Sequence, residues 1–257
     1  MATQNLVLVV TGASAGIGSG IVLVAIQNGA RVIGCSRSSE KLETLKNEVI
    51  KRGYSVDSFN YVVGDASNKD VAKTTIEKAI ELYGRIDALV NNVAEVDVGD
   101  RLSNMDFDKF VRMYEVNIFT AFYWIQMALP HLKEVNGKVI NISSSSSVTA
   151  RVGNSAYATY AALNMLTACL AEEEKEIQTI AICPGPVFTE SLEANYSKRD
   201  ENIAPYFKAF QEKYSIKEFR ERSFHPEDTG HYVWGLITNF PTEFNGKFVL
   251  STEPSLA

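Results

Sequence analysis

Short apolar runs alternate with amphipathic stretches along the chain. Leu6 to Val10 is short, β-branched and continuously apolar, the pattern of a buried strand. Ala15 to Asn28 spaces its apolar residues as a helix and runs into Gly29, a C-terminal stop. The alternation then repeats. Arg31 to Cys35 reads as a strand, Ser39 to Arg52 as a charged helix closed by Gly53, and Ser58 to Val63 as a third strand. Lys69 to Tyr83, ahead of Gly84, reads as a helix, and Ile86 to Asn91 as a fourth strand. Two long helices, Phe107 to Leu132 and Ala156 to Glu176, bracket a fifth strand at Lys138 to Ile142. Ile177 to Cys183 and Gly246 to Leu250 complete the strands. Strands alternating with helices of this length make βαβ units and a parallel sheet. Right-handed crossovers then give an α/β, doubly wound sheet.

One segment breaks the rhythm. Between Pro186 and Pro226 lie many charges and many aromatic residues, among them Phe188, Tyr196, Tyr206, Phe207, Phe210, Tyr214 and Phe219. Ile203, Phe207, Phe210 and Tyr214 share one helical face. The segment is either an ordinary amphipathic surface helix or a lid over the end of the sheet, where α/β folds bind ligands. The lid is the preferred reading, as an insertion spanning residues 187–225 of one domain spanning residues 1–257.

Composition narrows the options. With 46% hydrophobic and 22% charged residues, the 257-residue chain can bury a full core. Its net charge of -6 argues against a nucleic-acid-binding surface. Cys35, Cys169 and Cys183 are far apart and set in apolar runs, so they read as buried free thiols of a reducing compartment. His131, His225 and His231 show no metal-ligand spacing. Leu6 to Val10 is too short for a signal peptide or membrane span, and the expected location is the cytosol.

The stretch TGASAGIG, residues 11–18, joins the first strand to the first helix. Gly12 allows a tight turn, while Gly16 and Gly18 let a pyrophosphate approach the backbone and let helix and strand pack closely. The helix N-terminus adds free N–H groups and a positive dipole end. Strand two ends in Cys35-Ser36-Arg37, with no acid to accept a ribose 2′-OH. Ser36 is neutral and Arg37 can pair with a 2′-phosphate, which favours NADP(H). The alternative is that Arg37 is a solvated surface charge.

The TGxxxGxG spacing resembles the short-chain dehydrogenase/reductase family, and the similarity extends from about residue 5 to about 190. Asn91-Asn92-Val93-Ala94 partly matches the family's Asn-Asn-Ala-Gly stretch, and Asn117 stands where the family has its helix-bending asparagine. Asn141-Ile-Ser-Ser144 matches the end of the family's fifth strand, with Tyr157 13 residues beyond Ser144. Pro184-Gly-Pro-Val-Phe-Thr189 matches the segment over the nicotinamide. Within the family the chain looks most like fungal carbonyl reductases of the benzil-reductase or sepiapterin-reductase-like kind. The resemblance implies a Rossmann-like fold with a seven-stranded, mostly parallel sheet. It implies that Asn117, Ser144 and Tyr157 are catalytic. It also implies that Gly12, Ser14, Gly16, Ile17, Gly18, Ser36, Arg37, Asp65, Asn91, Pro184, Gly185, Val187 and Thr189 contact NADP(H). Asp65 is then the adenine-contacting acid, or else it simply caps the helix starting near Ser67. Ser145 is the runner-up to Ser144. Homodimers or homotetramers through the two long helices are also implied.

One departure stands out. The family places a lysine four residues after the tyrosine, where it binds ribose and lowers the phenol's pKa. Here that position is Ala161, in Tyr157-Ala-Thr-Tyr-Ala-Ala-Leu-Asn164. The chain reads as if the lysine were deleted and Tyr160 stood in the preceding serine's place. Tyr160 is no substitute for Tyr157, because four beyond it is Asn164. Lys175 lies 18 residues down the same helix, roughly 27 Å away. A deletion rotates the downstream helix by about 100° relative to Tyr157 unless the helix start absorbs it. The expected function is an NADP(H)-dependent carbonyl reductase, strongly impaired by the missing lysine. The alternative is a non-catalytic NADP(H)-binding module.

Overall fold

The computed structural model describes residues 5–96, 100–190, 192–193 and 216–251. Seven strands form one sheet in the order β3-β2-β1-β4-β5-β6-β7. They are β1 (Val7–Thr11), β2 (Arg31–Ser36), β3 (Phe59–Val63), β4 (Ala88–Asn91), β5 (Lys138–Ile142), β6 (Gln178–Cys183) and β7 (Phe248–Leu250). Every pairing is parallel. The expected "mostly parallel" sheet is thus wholly parallel among the described residues. β1 is buried at all five positions, as a central parallel strand covered on both faces must be.

Helices α1 (Gly16–Gln27), α2 (Ser39–Lys51) and α3 (Lys69–Tyr83) follow the first three strands. The periodicity placed each within two residues. The stretch from Phe107 was expected to be one regular helix. It is α4 (Phe107–Tyr114), a π-helical turn (Glu115–Phe119) and α5 (Thr120–Glu134). After β5, α6 (Ala158–Glu173) starts from a 3₁₀ turn at Ser155–Tyr157. The described end of the chain adds α7 (Ile216–Arg222) and α8 (Pro226–Thr238). Of the three cysteines, Cys35 and Cys183 are buried free thiols as expected, but Cys169 is exposed on α6. Among the described residues no helix is long and apolar enough to cross a membrane.

Periodicity did not reveal α8. Its sequence carries Gly230 and Gly235, poor helix formers, and only a partial apolar stripe. Tertiary contact makes it. Val233, Leu236 and Ile237 join the core cluster that holds Ile21, Val22 and Ala25 of α1. The two helices meet backbone to backbone. A Cβ on Gly20 would lie 2.2 Å from the Pro226 carbonyl, and one on Gly230 would lie 2.5 Å from the Gly20 oxygen. Pro226 suits the first helical position, and Asp228 accepts the His225 N–H at 2.7 Å to close the N-terminus.

The ends of the insertion lie side by side. Phe188 N donates to Phe224 O at 3.0 Å, and Phe224 N donates to Pro186 O at 2.8 Å. Tyr196, Ile203, Tyr206, Phe207, Phe210 and Tyr214 of the expected lid lie outside the described residues, as does the side chain of Phe219.

Gly20→Ala tests the α1–α8 contact. The added methyl meets backbone that has no rotamer to change, so a loss of about 1–3 kcal/mol or more is expected in urea unfolding. A midpoint equal to wild type would show that the helices can move apart at no cost.

Candidate active site

The C-terminal ends of the strands carry the site. At the β1 turn, Gly12 (φ 66°) and Gly16 (φ 55°) adopt left-handed backbone. Gly18 lies against the turn so closely that a Cβ would sit 2.2 Å from Gly12 O. Ala15 at the start of α1 offers no side-chain cap, in contrast to Ser38 on α2 and Asn68 on α3. The first amides of α1 are therefore open to an anion, as a pyrophosphate cradle requires. Ile17 is half-buried against the core below. Ser14 and Ser36 join their hydroxyls at 2.7 Å, linking the turn to the end of β2. Arg37 is exposed beyond it.

The turn is held from the side by residues whose roles the sequence did not disclose. Thr11 Oγ1 accepts N–H bonds from Asn92 (2.9 Å) and Val93 (3.1 Å). Asn92 Nδ2 donates back to Thr11 O at 3.0 Å. So Asn92, rather than Asn91, ties the end of β4 to the glycine turn. Asn91 is buried within the sheet, its amide donating to Asn141 Oδ1 at 2.8 Å. Asn141 in turn donates to Thr167 on α6. From the other side, Thr189 reaches over the cradle, 3.0 Å from where a Cβ of Gly16 would be. Glu190 pairs with Lys41 of α2 across the crevice. Pro184 and Val187 are buried at the base of this segment, and Gly185 (φ 76°) lies against the Phe224 ring.

Asp65 follows β3. It does not cap α3, because Asn68 does that by accepting the Asp70 N–H. Asp65 Oδ1 accepts from the Ser67 amide (2.9 Å) and hydroxyl (2.8 Å), and Oδ2 accepts from Arg112 (3.1 Å). Burial raises its carboxyl pKa, but these donors and the Arg112 charge outweigh that and hold it below the usual range.

Asn117 sits in the π-helical turn, buried at 3% exposure. Its Oδ1 accepts the Glu95 N–H at 2.7 Å, and its Nδ2 donates to Glu95 O (2.8 Å) and Thr159 Oγ1 (3.0 Å). The side chain thereby clamps the loop after β4 to the start of α6. A π turn at a functional position is a recurring use of that rare geometry.

The serine run ends β5 in a 3₁₀ turn. Ser144 Oγ accepts the Ser146 N–H at 3.2 Å, which leaves its own proton to donate elsewhere. Ser143 is bonded to Asn164 at 2.7 Å, and Asn164 donates to Ser147 at 2.9 Å. Ser145 is exposed, and its amide points to the Cys183 sulfur. Tyr157 is half-buried and stacks on Tyr160, with ring centroids 5.6 Å apart. Tyr160 is in the core, packed with Ala121 and Leu163. Burial drives the Tyr157 phenol above its usual pKa, against the opposing charge of Arg151. Tyr157 also lines a cavity of about 570 Å³ with Ser146, Ser147, Asn154 and Ser155. Ala161, at the family's lysine position, is exposed. The 3₁₀ turn that carries Tyr157 precedes α6, while Leu163 and Leu170 stay buried. Any rotation between tyrosine and helix is therefore taken up at the helix start.

A glycine cradle at β1, with a serine turn after β5 and a tyrosine at the start of α6, defines a doubly wound, dinucleotide-binding α/β protein. The short chain dehydrogenase family model matches residues 6–200. The chain belongs to that family, whose members are oxidoreductases that use nicotinamide cofactors. An uncharacterized oxidoreductase of Saccharomyces cerevisiae is 30% identical, over 98% of this chain and 97% of that one. A crystal structure of a short-chain dehydrogenase/reductase from the same yeast superposes with a TM-score of 0.88 at 30% identity, covering 98% of each chain. The crystal structure of KRED1-Pglu enzyme gives 0.85 at 30% identity, covering 95% of this chain and all of that one.

Proposed function

We propose that this protein is an NADP(H)-dependent carbonyl reductase working without the family's lysine. The observation that carries the reading is Tyr157, a neutral phenol at the edge of a cavity beside the serine turn. The uncapped α1 and the Gly12, Gly16 and Gly18 backbone fit a pyrophosphate, and Arg37 fits a 2′-phosphate. A bound nicotinamide supplies the hydride. Tyr157 gives its proton to the carbonyl oxygen as that oxygen becomes a hydroxyl, and recovers it from water. Ser144 donates to the same oxygen as charge builds on it. Asn117 holds the Glu95 loop and the start of α6, so it positions rather than reacts.

A second reading, a non-catalytic NADP(H)-binding module, is favoured by the single fact of Ala161. A cytosolic location is supported by three free cysteines. A structural relative 28% identical is also described as a cytoplasmic protein. We also propose self-association. Phe107 and Val111 on α4, Phe119 in the π-helical turn and Phe122 on α5 are exposed, as is Met165 on α6 at 65%. A second copy covers these apolar faces.

NADPH consumption should be seen with aldehydes, ketones or diketones, and Tyr157→Phe should lower it about 10²–10⁴-fold. Reduction needs the protonated phenol, whose pKa is raised, so its rate should stay flat through neutral pH and fall only above about pH 10. Ala161→Lys adds a cation that lowers the phenol by about 1–3 units, so alcohol oxidation should gain more than reduction. Equal rates in both proteins would sink the impairment. For cofactor choice, KM for NADPH should lie about ten- to a hundredfold below that for NADH, and Arg37→Gln should remove most of the gap. An unchanged gap would make Arg37 a surface charge. For assembly, sedimentation should show a dimer or tetramer that Phe122→Glu weakens; a monomeric wild type would refute the shared face.

A further inference from the structure

The cavity beside Tyr157 has a charge pattern that the reaction itself does not need. Arg101, from the segment before α4, and Arg151, six residues before Tyr157, both line it. They come from different loops and share one space. No aspartate or glutamate is among the described residues that line it, although the chain as a whole has a net charge of -6. The remaining polar lining is neutral and includes Ser103, Thr149 and Asn154, while Leu102, Val148 and Val152 supply an apolar wall. A cleft lined by one sign of charge concentrates ligands of the other sign. Each guanidinium presents a planar fork that matches two oxygens of one anionic group.

Resting on the carbonyl-reductase reading, we infer that the substrate is an anionic carbonyl compound, held through its carboxylate or phosphate group by Arg101 and Arg151. The carbonyl oxygen then faces Tyr157 and the apolar remainder lies on Leu102, Val148 and Val152. The charge of Arg151 already reaches the Tyr157 hydroxyl, where it opposes the effect of burial. Arg151 and Tyr157 also line the same cavity, so one small molecule can engage both.

The test uses three ketones built on one skeleton: the free oxo acid, its methyl ester and a phosphate-bearing analogue. Their kcat/KM with NADPH is compared in wild type, Arg101→Gln and Arg151→Gln. The acid or the phosphate compound should exceed the ester by about ten- to a hundredfold in wild type, and each variant should bring that ratio toward one. Which of the two anions leads identifies the natural group. In parallel, a saturated, non-reducible carboxylate is titrated calorimetrically into the same three proteins. Arginine-dependent binding without turnover of any ketone would leave the anion site standing and remove the reductase reading. Ester turned over as fast as both anions would leave the reductase and overturn the anion site. Variants that slow ester and acid alike would overturn it too.

Discussion

Backbone packed directly on backbone along α1 is the constraint from which the site is built. Gly18 rests on Gly12 O, and Gly20 rests on the Pro226 carbonyl. No side chain separates either pair. The first contact seats the helix N-terminus over the turn, where its open amides face the crevice. The second fixes where α8 begins, and therefore where Phe224 lies just before it. Phe224 pairs with Pro186 and Phe188, which sets the direction of the chain through Thr189. Thr189 then comes to rest against Gly16. Two glycine contacts thus connect the floor of the crevice to the strap across it. Small residues are needed because a Cβ at these distances has nowhere to go.

A second framework is polar and buried. Thr11 with Asn92, Asn91 with Asn141 and through it Thr167, and Asn117 with Glu95 and Thr159 join β1, β4, β5, the π-helical turn and α6 near their functional ends. Buried amides cost free energy unless satisfied, so each bond selects one arrangement of the loops it joins. Asn117 shows the trade most clearly. Reaching Glu95 goes with a local π turn in what is otherwise a continuous helix. Glu95 pairs in turn with Arg112, which also holds Asp65, so the loops after β3 and β4 share one cation.

The tyrosine segment reconciles two demands. Leu163 and Leu170 must remain in the core, and Tyr157 must remain at the cavity. A 3₁₀ turn at Ser155–Tyr157 satisfies both, with tighter winding just before α6 begins. What it does not restore is a cation on the helix one turn beyond Tyr157, since Ala161 stands there. The nearby positive charge comes instead from Arg151, on the loop.

Local pattern was enough to determine the alternating strands and helices, the glycine turn, the Ser144-to-Tyr157 spacing and the loss of the lysine. Each rests on residues close in sequence, where periodicity of 2 or 3.6 and single residue types carry the signal. The tertiary structure alone decided the rest. It made a helix of residues 226–238 despite two glycines, because α1 offered a surface to pack on. It turned Asn91 into the sheet, brought Asn92 to Thr11, exposed Cys169 and set Asp65 against Arg112. It placed Arg101 and Arg151 around one cavity. These partners are between 47 and 81 residues apart along the chain wherever a bond joins them. Contacts of that separation depend on strand order and packing, which no local period encodes.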